Sequence, residues 1–494
     1  MSAFPDEKPP RLGLRLLLRA GLAMLVITLL AAASVATAVL LEVKKDADIF
    51  SREQIPIPNI EGALDGVSAG GPQTILVLGS DRRFADIKAK NPVRSDTMML
   101  IRLDPSKGAT AVMNIPRDLK VTIPGHGEDK INAAYAIGGP TLSVKTVRSL
   151  LHIPINHVVN VNFGGFRHAV DRLKCVYVDV DRKYFNDNNP PFGGGPDYAT
   201  IHVPAGYQKL CGQDALDYVR YRHFDSDLVR AARQQDFLRQ AKDQIGVSRI
   251  FGDREALLKI FGKYTQTDIR GTTAILRLLK LVAQSASHPV QEIHFPGDAG
   301  PTYVTTTPGR LKKAVHDFLN AKGSSGPRGK ASPAKNAPRR KSSHPGVPSG
   351  LVLNKTLGED QAANVATKVG FPVYYPKLLA ARGNYRTPDN RAYNIYDRGH
   401  HKYRAYRIVA FAGDIGQYYG VEGMTWSSPP LLDNPSETRT LNGRKFELFF
   451  DGGRLRLVAY RTKKAVYWVS NTLLQTLTNQ QMLALAQSLT RVGH

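Results

Sequence analysis

ILVLGSDRR, at residues 75–83, is the segment around which this chain is organised. Its apolar run stops at Gly79, which is typical of a strand buried on both faces, and Asp81 follows the end of that strand. RSDTMMLIRLD (residues 94–104) and the apolar segment that leads into NIPRD (residues 114–118) predict two more strands. Because the links between these strands are short, we expect an antiparallel meander.

Charged residues stand at the ends of these predicted strands. In an antiparallel meander, the end of the first strand, the start of the second and the end of the third share one edge of the sheet. The charged residues expected to converge there are Asp81, Arg94, Asp96 and Arg117. One interpretation is a set of salt bridges that holds the loop ends. The other is a pyrophosphate site, since two carboxylates suit a hydrated Mg²⁺ and arginine forks suit phosphate oxygens.

The chain is long and strongly basic. It has 494 residues, 42% of them hydrophobic, so it exceeds one typical domain and can bury sizeable cores. Its 67 Lys and Arg against 42 Asp and Glu give a formal net charge of +25, which favours an anionic partner. Charge alone leaves nucleic acid, anionic lipid headgroups, phosphorylated lipids and acidic wall polymers as candidates.

Residues 20–41 contain no charged side chain. As a helix they would measure about 33 Å, at roughly 1.5 Å per residue, so we predict a transmembrane helix. The basic residues of segment 1–19 predict a cytoplasmic tail, with the bulk of the chain outside the cell membrane. A cleaved signal peptide is the alternative, although the apolar run exceeds the usual length of about 7–15 residues. Outside the membrane, the positive charge matches the membrane surface and anionic wall polymers, and we expect no nucleic-acid partner.

Differences in composition divide the remainder of the chain into four segments. Residues 42–72 carry scattered Pro and Gly and are interpreted as a stalk. Residues 73–321 alternate strand and helix patterns, which predicts an α/β domain with a mixed β-sheet core and helices on both sides. Residues 322–348 combine Lys and Arg with Ser, Pro, Gly and Ala and contain no acidic residue, a composition typical of a disordered basic linker. Residues 349–494 predict a smaller α+β accessory domain of unknown ligand that contains an antiparallel meander.

Cys175 and Cys211 are the only cysteines in the sequence. In an exported chain an even pair favours a disulfide, which here would tie the base of a Gly-rich excursion at residues 182–204. Two buried free thiols are the other interpretation, and both are open at this point.

A second functional segment is DALDYVRYRHFDSDLVRAARQQDFL, residues 214–238. A helix is predicted from residue 228 onward, so Arg230 and Gln234 are four residues apart and share a face. Arginine binds phosphate through two parallel hydrogen bonds, but a solvated, self-neutralising surface is the alternative interpretation. The charged residues concerned are Arg220, Arg222, Asp225, Asp227, Arg230 and Arg233.

Six segments of the chain match the motifs of one family in the right order. They are GSD (79–81), RSDTMML (94–100), IPRD (115–118), KINAAYAIGG (130–139), NFGGFRHAVDRL (162–173) and YVRYRHFDSDLVRAARQQ (218–235). Over about residues 73–245 the chain resembles the LytR-CpsA-Psr (LCP) family. The resemblance implies a membrane-anchored phosphotransferase that uses Mg²⁺ outside the cytoplasmic membrane and moves a glycopolymer from a polyprenyl-pyrophosphate carrier onto peptidoglycan.

The resemblance also implies roles for individual residues. Asp81 and Asp96 match the metal-binding carboxylates. The implied pyrophosphate-binding set is Arg94, Arg117, Arg220, Arg222, Arg230 and Gln234, to which we add Arg233 from the same basic segment. The sequence departs from the family pattern in two places: Asp227-Leu228-Val229-Arg230 stands where DFGR is frequent, and Lys174-Cys175 stands where a glycine pair often occurs.

The implied chemistry is phosphoryl transfer at the phosphate bonded to the sugar. A peptidoglycan hydroxyl attacks, polyprenyl phosphate leaves, and Asp81, Asp96, Arg94 and Arg117 belong to the catalytic set. The candidate bases are Asp225 and Asp227, which lie nearest the arginines in the sequence. Two other functions are open at this point: a pyrophosphatase that releases the lipid carrier to water, and a non-enzymatic envelope scaffold or regulator.

Overall fold

The structure is a computed structural model. It describes residues 44–45, 48–49, 55–68, 70–80, 95–107, 109–187, 200–221, 225, 227–245, 252–286, 290–321, 347–414, 416–451 and 453–493. The predicted membrane helix at residues 20–41 and most of the predicted linker at 322–348 lie outside these ranges. Within these ranges, no helix has the length and apolar character needed to cross a bilayer.

Strands and helices alternate along the N-terminal unit, residues 55–321. Its described strands are β1 (Gln73–Ser80), β2 (Ser95–Asp104), β3 (Ala109–Asn114), β4 (Lys120–Ile123), β5 (Gly127–Lys130), β6 (His157–Asn162), β7 (Val176–Val180), β8 (Tyr184–Asn186), β9 (Ile201–Val203), β10 (Gly206–Leu210), β11 (Thr265–Thr267), β12 (Val290–Ile293), β13 (Asp298–Ala299) and β14 (Val304–Thr305). Its described helices are α1 (Ala133–Leu151), α2 (Phe163–Arg172), α3 (Gly212–Arg220), α4 (Asp227–Gln244), α5 (Arg254–Tyr264), α6 (Gly271–Ala286) and α7 (Pro308–Leu319).

A mixed sheet lies at the centre of this unit and, over the described residues, has six strands in the order β11-β6-β1-β2-β3-β12. The predicted meander is confirmed, because β1 pairs antiparallel with β2 and β2 pairs antiparallel with β3. β6 is parallel to β1, and β12 is parallel to β3. The end of β1, the start of β2 and the end of β3 therefore lie along one side of the sheet, called the sheet edge below.

Helices cover both faces of the central sheet. Alternate strand residues such as Leu76 and Met98 point into a core that also contains Val144 of α1. On the opposite face Ile75 packs against Leu281 of α6. This two-sided packing confirms the α/β class and explains why the first strand is apolar on both faces.

Cys175 and Cys211 form a disulfide that spans 36 residues of sequence, which confirms the bonded interpretation. The bond joins the residue that precedes β7 to the residue that precedes α3. The excursion that it closes contains the antiparallel pair β8 and β9, which the sequence pattern did not predict. The glycines at residues 193–195 lie outside the described residues.

The C-terminal unit, residues 347–493, is mostly β. Its described strands are β15 (Leu351–Leu353), β16 (Tyr374–Pro376), β17 (Leu378–Ala380), β18 (Asn384–Tyr385), β19 (Arg391–Tyr396), β20 (Lys402–Phe411), β21 (Tyr418–Met424), β22 (Glu437–Leu441), β23 (Arg444–Asp451), β24 (Arg454–Arg461), β25 (Val466–Ser470) and β26 (Leu489–Arg491), and its described helices are α8 (Lys355–Val369) and α9 (Asn479–Gln487). The predicted α+β balance is corrected here. The tyrosine-rich residues 391–424 form β19, β20 and β21 and join the predicted meander in one large antiparallel sheet, because aromatic residues suit a half-buried pleated surface.

Candidate functional site

A β-bulge shapes the sheet edge where β1 ends and β2 begins. Ser80 pairs with Ser95 while Gly79 pairs with Thr97, so the backbone of Asp96 is the extra residue on β2. The Ser95 hydroxyl lies within hydrogen-bond distance of the carbonyl oxygens of Thr97 (2.7 Å) and Gly79 (3.2 Å), to which it can donate. Bulges are frequent beside functional sites because they redirect the strand that carries them.

Each of the two predicted metal ligands follows, in the sequence, one member of the pair formed by Ser80 and Ser95. Asp81 follows Ser80 directly in the chain, and consecutive Cα atoms lie about 3.8 Å apart. Paired residues on antiparallel strands have Cβ atoms about 4.5–5.5 Å apart. The assignment of Asp81 and Asp96 as ligands of one Mg²⁺, which two hard carboxylate donors would suit, stays a prediction. Asp81, Arg94 and the side chain of Asp96 lie outside the described residues.

Buried hydrogen bonds support the last residue of β1. Asn160 Nδ2 donates to the Tyr135 hydroxyl at 2.9 Å, and this hydroxyl donates to Ser80 Oγ at 3.2 Å. Asn160 also donates to Gln266 Oε1 at 2.8 Å. This chain of contacts holds the residue that precedes Asp81. Sequence reasoning missed it because 55 residues separate Ser80 from Tyr135 and no local pattern links them.

Arg117 lies just beyond β3 at the sheet edge, as predicted. Its backbone carbonyl accepts from the Asn132 amide at 3.2 Å. Its Nε lies 3.8 Å from Asp118 Oδ2, and Asp118 also accepts from Lys130 Nζ at 2.9 Å. The Arg117 side chain is 18% exposed. A carboxylate thus lies beside an arginine whose side chain is partly exposed.

Helix α4 brings Arg230 and Gln234 to the sheet edge. Gln234 Nε2 donates to Thr97 Oγ1 at 3.0 Å, across 137 residues of sequence. Asn114, at the end of β3, donates through Nδ2 to the carbonyl of Ala231 at 3.1 Å. Arg230 lies one turn before Gln234 on the same helical face and is buried. The predicted carboxylate segment and the predicted arginine segment therefore meet at one place.

Arg220 ends α3, and Asp217 orients it. Asp217 Oδ1 accepts from Arg220 Nη2 at 2.9 Å and from Arg220 Nε at 3.1 Å, and Gln213 donates to the same oxygen at 2.8 Å. Burial raises the pKa of the Asp217 carboxyl. The Arg220 side chain is 18% exposed and lies over the Phe163 ring at 5.7 Å. Asp217 was not predicted, although its spacing of three residues from Arg220 is a usable signal. Arg222 lies outside the described residues.

Arg233 and Asp225 occupy a buried ionic cluster. Arg233 Nη1 donates to Asp225 Oδ2 at 2.8 Å and Arg182 Nη2 donates to Asp225 Oδ1 at 2.6 Å, with the Arg233 and Asp225 side chains 0% exposed. Arg233 also donates to the Tyr221 carbonyl and lies over the Tyr184 ring at 4.6 Å.

This cluster corrects two predictions. A guanidinium and a carboxylate that are fully buried against each other offer no surface to a substrate, so we withdraw Arg233 as a pyrophosphate ligand and Asp225 as a base. The local charge pattern could not predict this burial, because Arg182, which completes the cluster, lies 43 residues from Asp225 in the sequence. The side chain of Asp227, the other candidate base, lies outside the described residues.

The fold and the sheet edge define an α/β protein in which Arg117 and the helix of Arg230 and Gln234 lie at one end of a mixed sheet. A sequence profile of the LytR_cpsA_psr family matches residues 35–317, more than half of the 494-residue chain. The chain belongs to the LytR-CpsA-Psr family, which confirms the resemblance seen in the six motifs.

Named relatives match part of the chain. The polyisoprenyl-teichoic acid–peptidoglycan teichoic acid transferase TagT of Bacillus subtilis (strain 168) is 37% identical over 166 residues, which cover 33% of this chain and 50% of TagT. The corresponding transferase TagU of Oceanobacillus iheyensis is 34% identical over 203 residues, which cover 40% of this chain and 58% of TagU. The chain thus spans about half the length of these curated relatives. The solved structure described as "TagT bound to LI-WTA" shares 26% identity with a TM-score of 0.42 and covers 54% of this chain and 98% of that chain.

Proposed function

We propose that this protein is a phosphotransferase that moves a glycopolymer from a polyprenyl-pyrophosphate carrier onto peptidoglycan. The observation that carries the proposal is the hydrogen bond between Gln234 and Thr97, which places the helix of Arg230 beside the residue that follows Asp96. Membership of the LytR-CpsA-Psr family supports it, and so do the names of TagT and TagU, both of which are teichoic acid transferases.

Side chains from three segments of the chain would hold the pyrophosphate at the sheet edge. Arg117 comes from the end of β3, Arg220 from the end of α3, and Arg230 with Gln234 from α4. Asp118 Oδ2 lies 3.8 Å from Arg117 Nε, and Asp217 orients the Arg220 guanidinium through hydrogen bonds. An arginine that is already oriented loses less side-chain entropy when it forms a bidentate contact with phosphate. The proposed set is completed by Arg94 and Arg222.

Asp81 and Asp96 would hold Mg²⁺, which neutralises charge on phosphate oxygens when bound. The arginines keep the phosphate bonded to the sugar in line with the attacking hydroxyl of peptidoglycan, and they stabilise the charge that develops there. A new bond forms between that hydroxyl oxygen and the phosphorus, while the bond to the bridging oxygen breaks and polyprenyl phosphate leaves. Asp227 is the proposed acceptor of the hydroxyl proton.

We also propose that residues 20–41 anchor the chain in the cell membrane, with residues 1–19 in the cytoplasm and the remainder outside. This location would bring the site to a lipid-linked substrate and to peptidoglycan. The disulfide supports it, because such bonds persist in oxidising compartments. The net charge of +25 suits an anionic membrane surface and anionic wall polymers.

The test uses the full chain in detergent with Mg²⁺, a polyprenyl-pyrophosphate-linked disaccharide and soluble peptidoglycan fragments, with products identified by mass spectrometry. The expected products are polyprenyl phosphate and a peptidoglycan fragment that carries the sugar phosphate. Release of free sugar phosphate, whether or not acceptor is present, would indicate a pyrophosphatase instead. No turnover by the parent protein would favour a scaffold, and EDTA serves as the metal control.

A further inference from the structure

Helix α4 contacts the site with one face and the C-terminal unit with another. Gln234 bonds to Thr97 at the sheet edge, whereas Val229 and Ala232 pack against Leu473 of the C-terminal unit. Because an α-helix turns by about 100° per residue, Ala232 lies roughly 160° around the helix from both Arg230 and Gln234. The helix that carries two proposed ligands is therefore enclosed between the sheet edge and the C-terminal unit.

The contact between α4 and the C-terminal unit is close and partly ionic. Arg239 Nη1 donates to Asp451 Oδ2 at 2.7 Å, with the two side chains 16% and 7% exposed. Gly416, which has a φ of +75°, lies so near Val229 that a Cβ atom at position 416 would be 2.6 Å from Val229 Cγ2. A contact this close requires glycine at position 416, and it packs the first turn of α4 directly against the C-terminal unit.

The strand next to α4 is fixed by the same unit. Asp179 of β7 accepts from Arg407 Nη1 and from Trp468 Nε1, both at 3.1 Å. The Asp179 amide donates to Gln240 Oε1 of α4 at 3.2 Å. Arg407 and Trp468 are fully buried. Helix α4, strand β7 and the C-terminal unit thus form one continuous packed body.

A further, indirect contact reaches Arg233 in the second turn of α4. The Tyr418 ring of the C-terminal unit lies 5.1 Å from the Arg182 guanidinium. Arg182 donates to Asp225, which in turn accepts from Arg233 of α4. With Val229 in the first turn and Arg239 in the fourth, the C-terminal unit therefore contacts α4 from its first to its fourth turn.

We propose that the C-terminal unit is a positioning element of the substrate site, in which Asp451 and Leu473 position Arg230 and Gln234 through α4. This inference rests on the proposed function, because it takes these two side chains to contact the pyrophosphate. Binding groups must be held within about 0.5 Å of their productive positions, and a shift of about 1 Å can cost a hundredfold in rate. The packed face of α4 therefore controls what its opposite face can bind.

The experiment measures the affinity of the full chain for farnesyl pyrophosphate with Mg²⁺ by calorimetry, together with amide hydrogen exchange of residues 227–245. Asp451→Asn and Leu473→Ala should each weaken binding by about tenfold and speed exchange in α4. Asp451→Glu, which keeps the carboxylate, should restore part of the affinity. The matched control is Asp414→Asn, because Asp414 pairs with Arg382 on the exposed surface of the same unit, and it should bind like the parent.

Parent-like affinity in both Asp451→Asn and Leu473→Ala would overturn the proposal. Equal weakening in Asp414→Asn would also overturn it, because the loss would then not depend on the contact with α4. If the parent protein does not bind the probe, the proposed function fails, while the exchange of residues 227–245 still decides whether the C-terminal unit holds the helix.

Discussion

Arg233 donates to Asp225 at 2.8 Å, and neither side chain has any exposed surface, although Arg233 directly precedes Gln234 on α4. Neighbouring helical positions point about 100° apart, so one side chain enters a buried cluster while the next bonds to Thr97. The basic segment at residues 214–238 therefore contains two kinds of arginine. Arg233 anchors the helix, and Arg230 and Arg220 remain proposed ligands.

Arg233→Met should destabilise the fold. Among the described residues it leaves the buried Asp225 carboxylate with Arg182 as its guanidinium partner, and loss of one member of a buried pair costs about 3–5 kcal/mol. Urea denaturation of the full chain measures the change. Arg439→Met is the control, since its exposed pair with Glu437 should contribute at most about 1 kcal/mol. Equal stability of the two variants would contradict the anchoring role.

Arg220→Lys should weaken binding of a polyprenyl pyrophosphate analogue in the presence of Mg²⁺. The substitution keeps the charge but loses the planar fork, so we expect a cost of about 1–3 kcal/mol with little change in melting temperature. Calorimetric titration provides the affinity. Asp217→Asn should weaken binding in the same direction, because the neutral amide orients the guanidinium less firmly. Unchanged affinity in both variants would show that Arg220 belongs to a solvated charge cluster.

Asp96→Asn should abolish Mg²⁺-dependent turnover. The amide is a poorer metal ligand than the carboxylate, and we expect a loss of at least about a hundredfold, because a bound metal supplies several kcal/mol of charge stabilisation. The melting temperature should barely change, since a residue at a strand end contributes little packing. Asp298→Asn is the control, because Asp298 is an exposed aspartate in β13. Turnover that survives in Asp96→Asn would reject the metal assignment.

Glu422→Gln should flatten the dependence of stability on pH. Burial raises the pKa of Glu422 from 4.5 to about 8 in the folded protein. The unfolded chain therefore releases this proton at lower pH than the folded chain, so folding stability falls as the pH rises from about 5 to 8. The glutamine variant cannot titrate and should lose less stability over that interval. Denaturation curves at pH 5, 6, 7 and 8 provide the comparison, and parallel profiles of the two proteins would disprove the assignment.

The sequence by itself determined the meander of β1, β2 and β3. Apolar runs, the glycine that ends the first run and short links are local features, so they specify neighbouring strands without reference to the rest of the fold. Six ordered motifs likewise determined the family. The helical spacing of Arg230 and Gln234 was readable for the same reason, because four residues make about one turn.

Only the tertiary structure decided which charged residues are buried and what they contact. Arg220 and Arg233 look alike in the sequence, yet one is partly exposed and the other is enclosed with Arg182 and Asp225. The contact between Arg239 and Asp451 joins residues 212 positions apart. Burial and long-range pairing depend on how whole units pack, and a local pattern of charge carries no information about which surface another unit will cover.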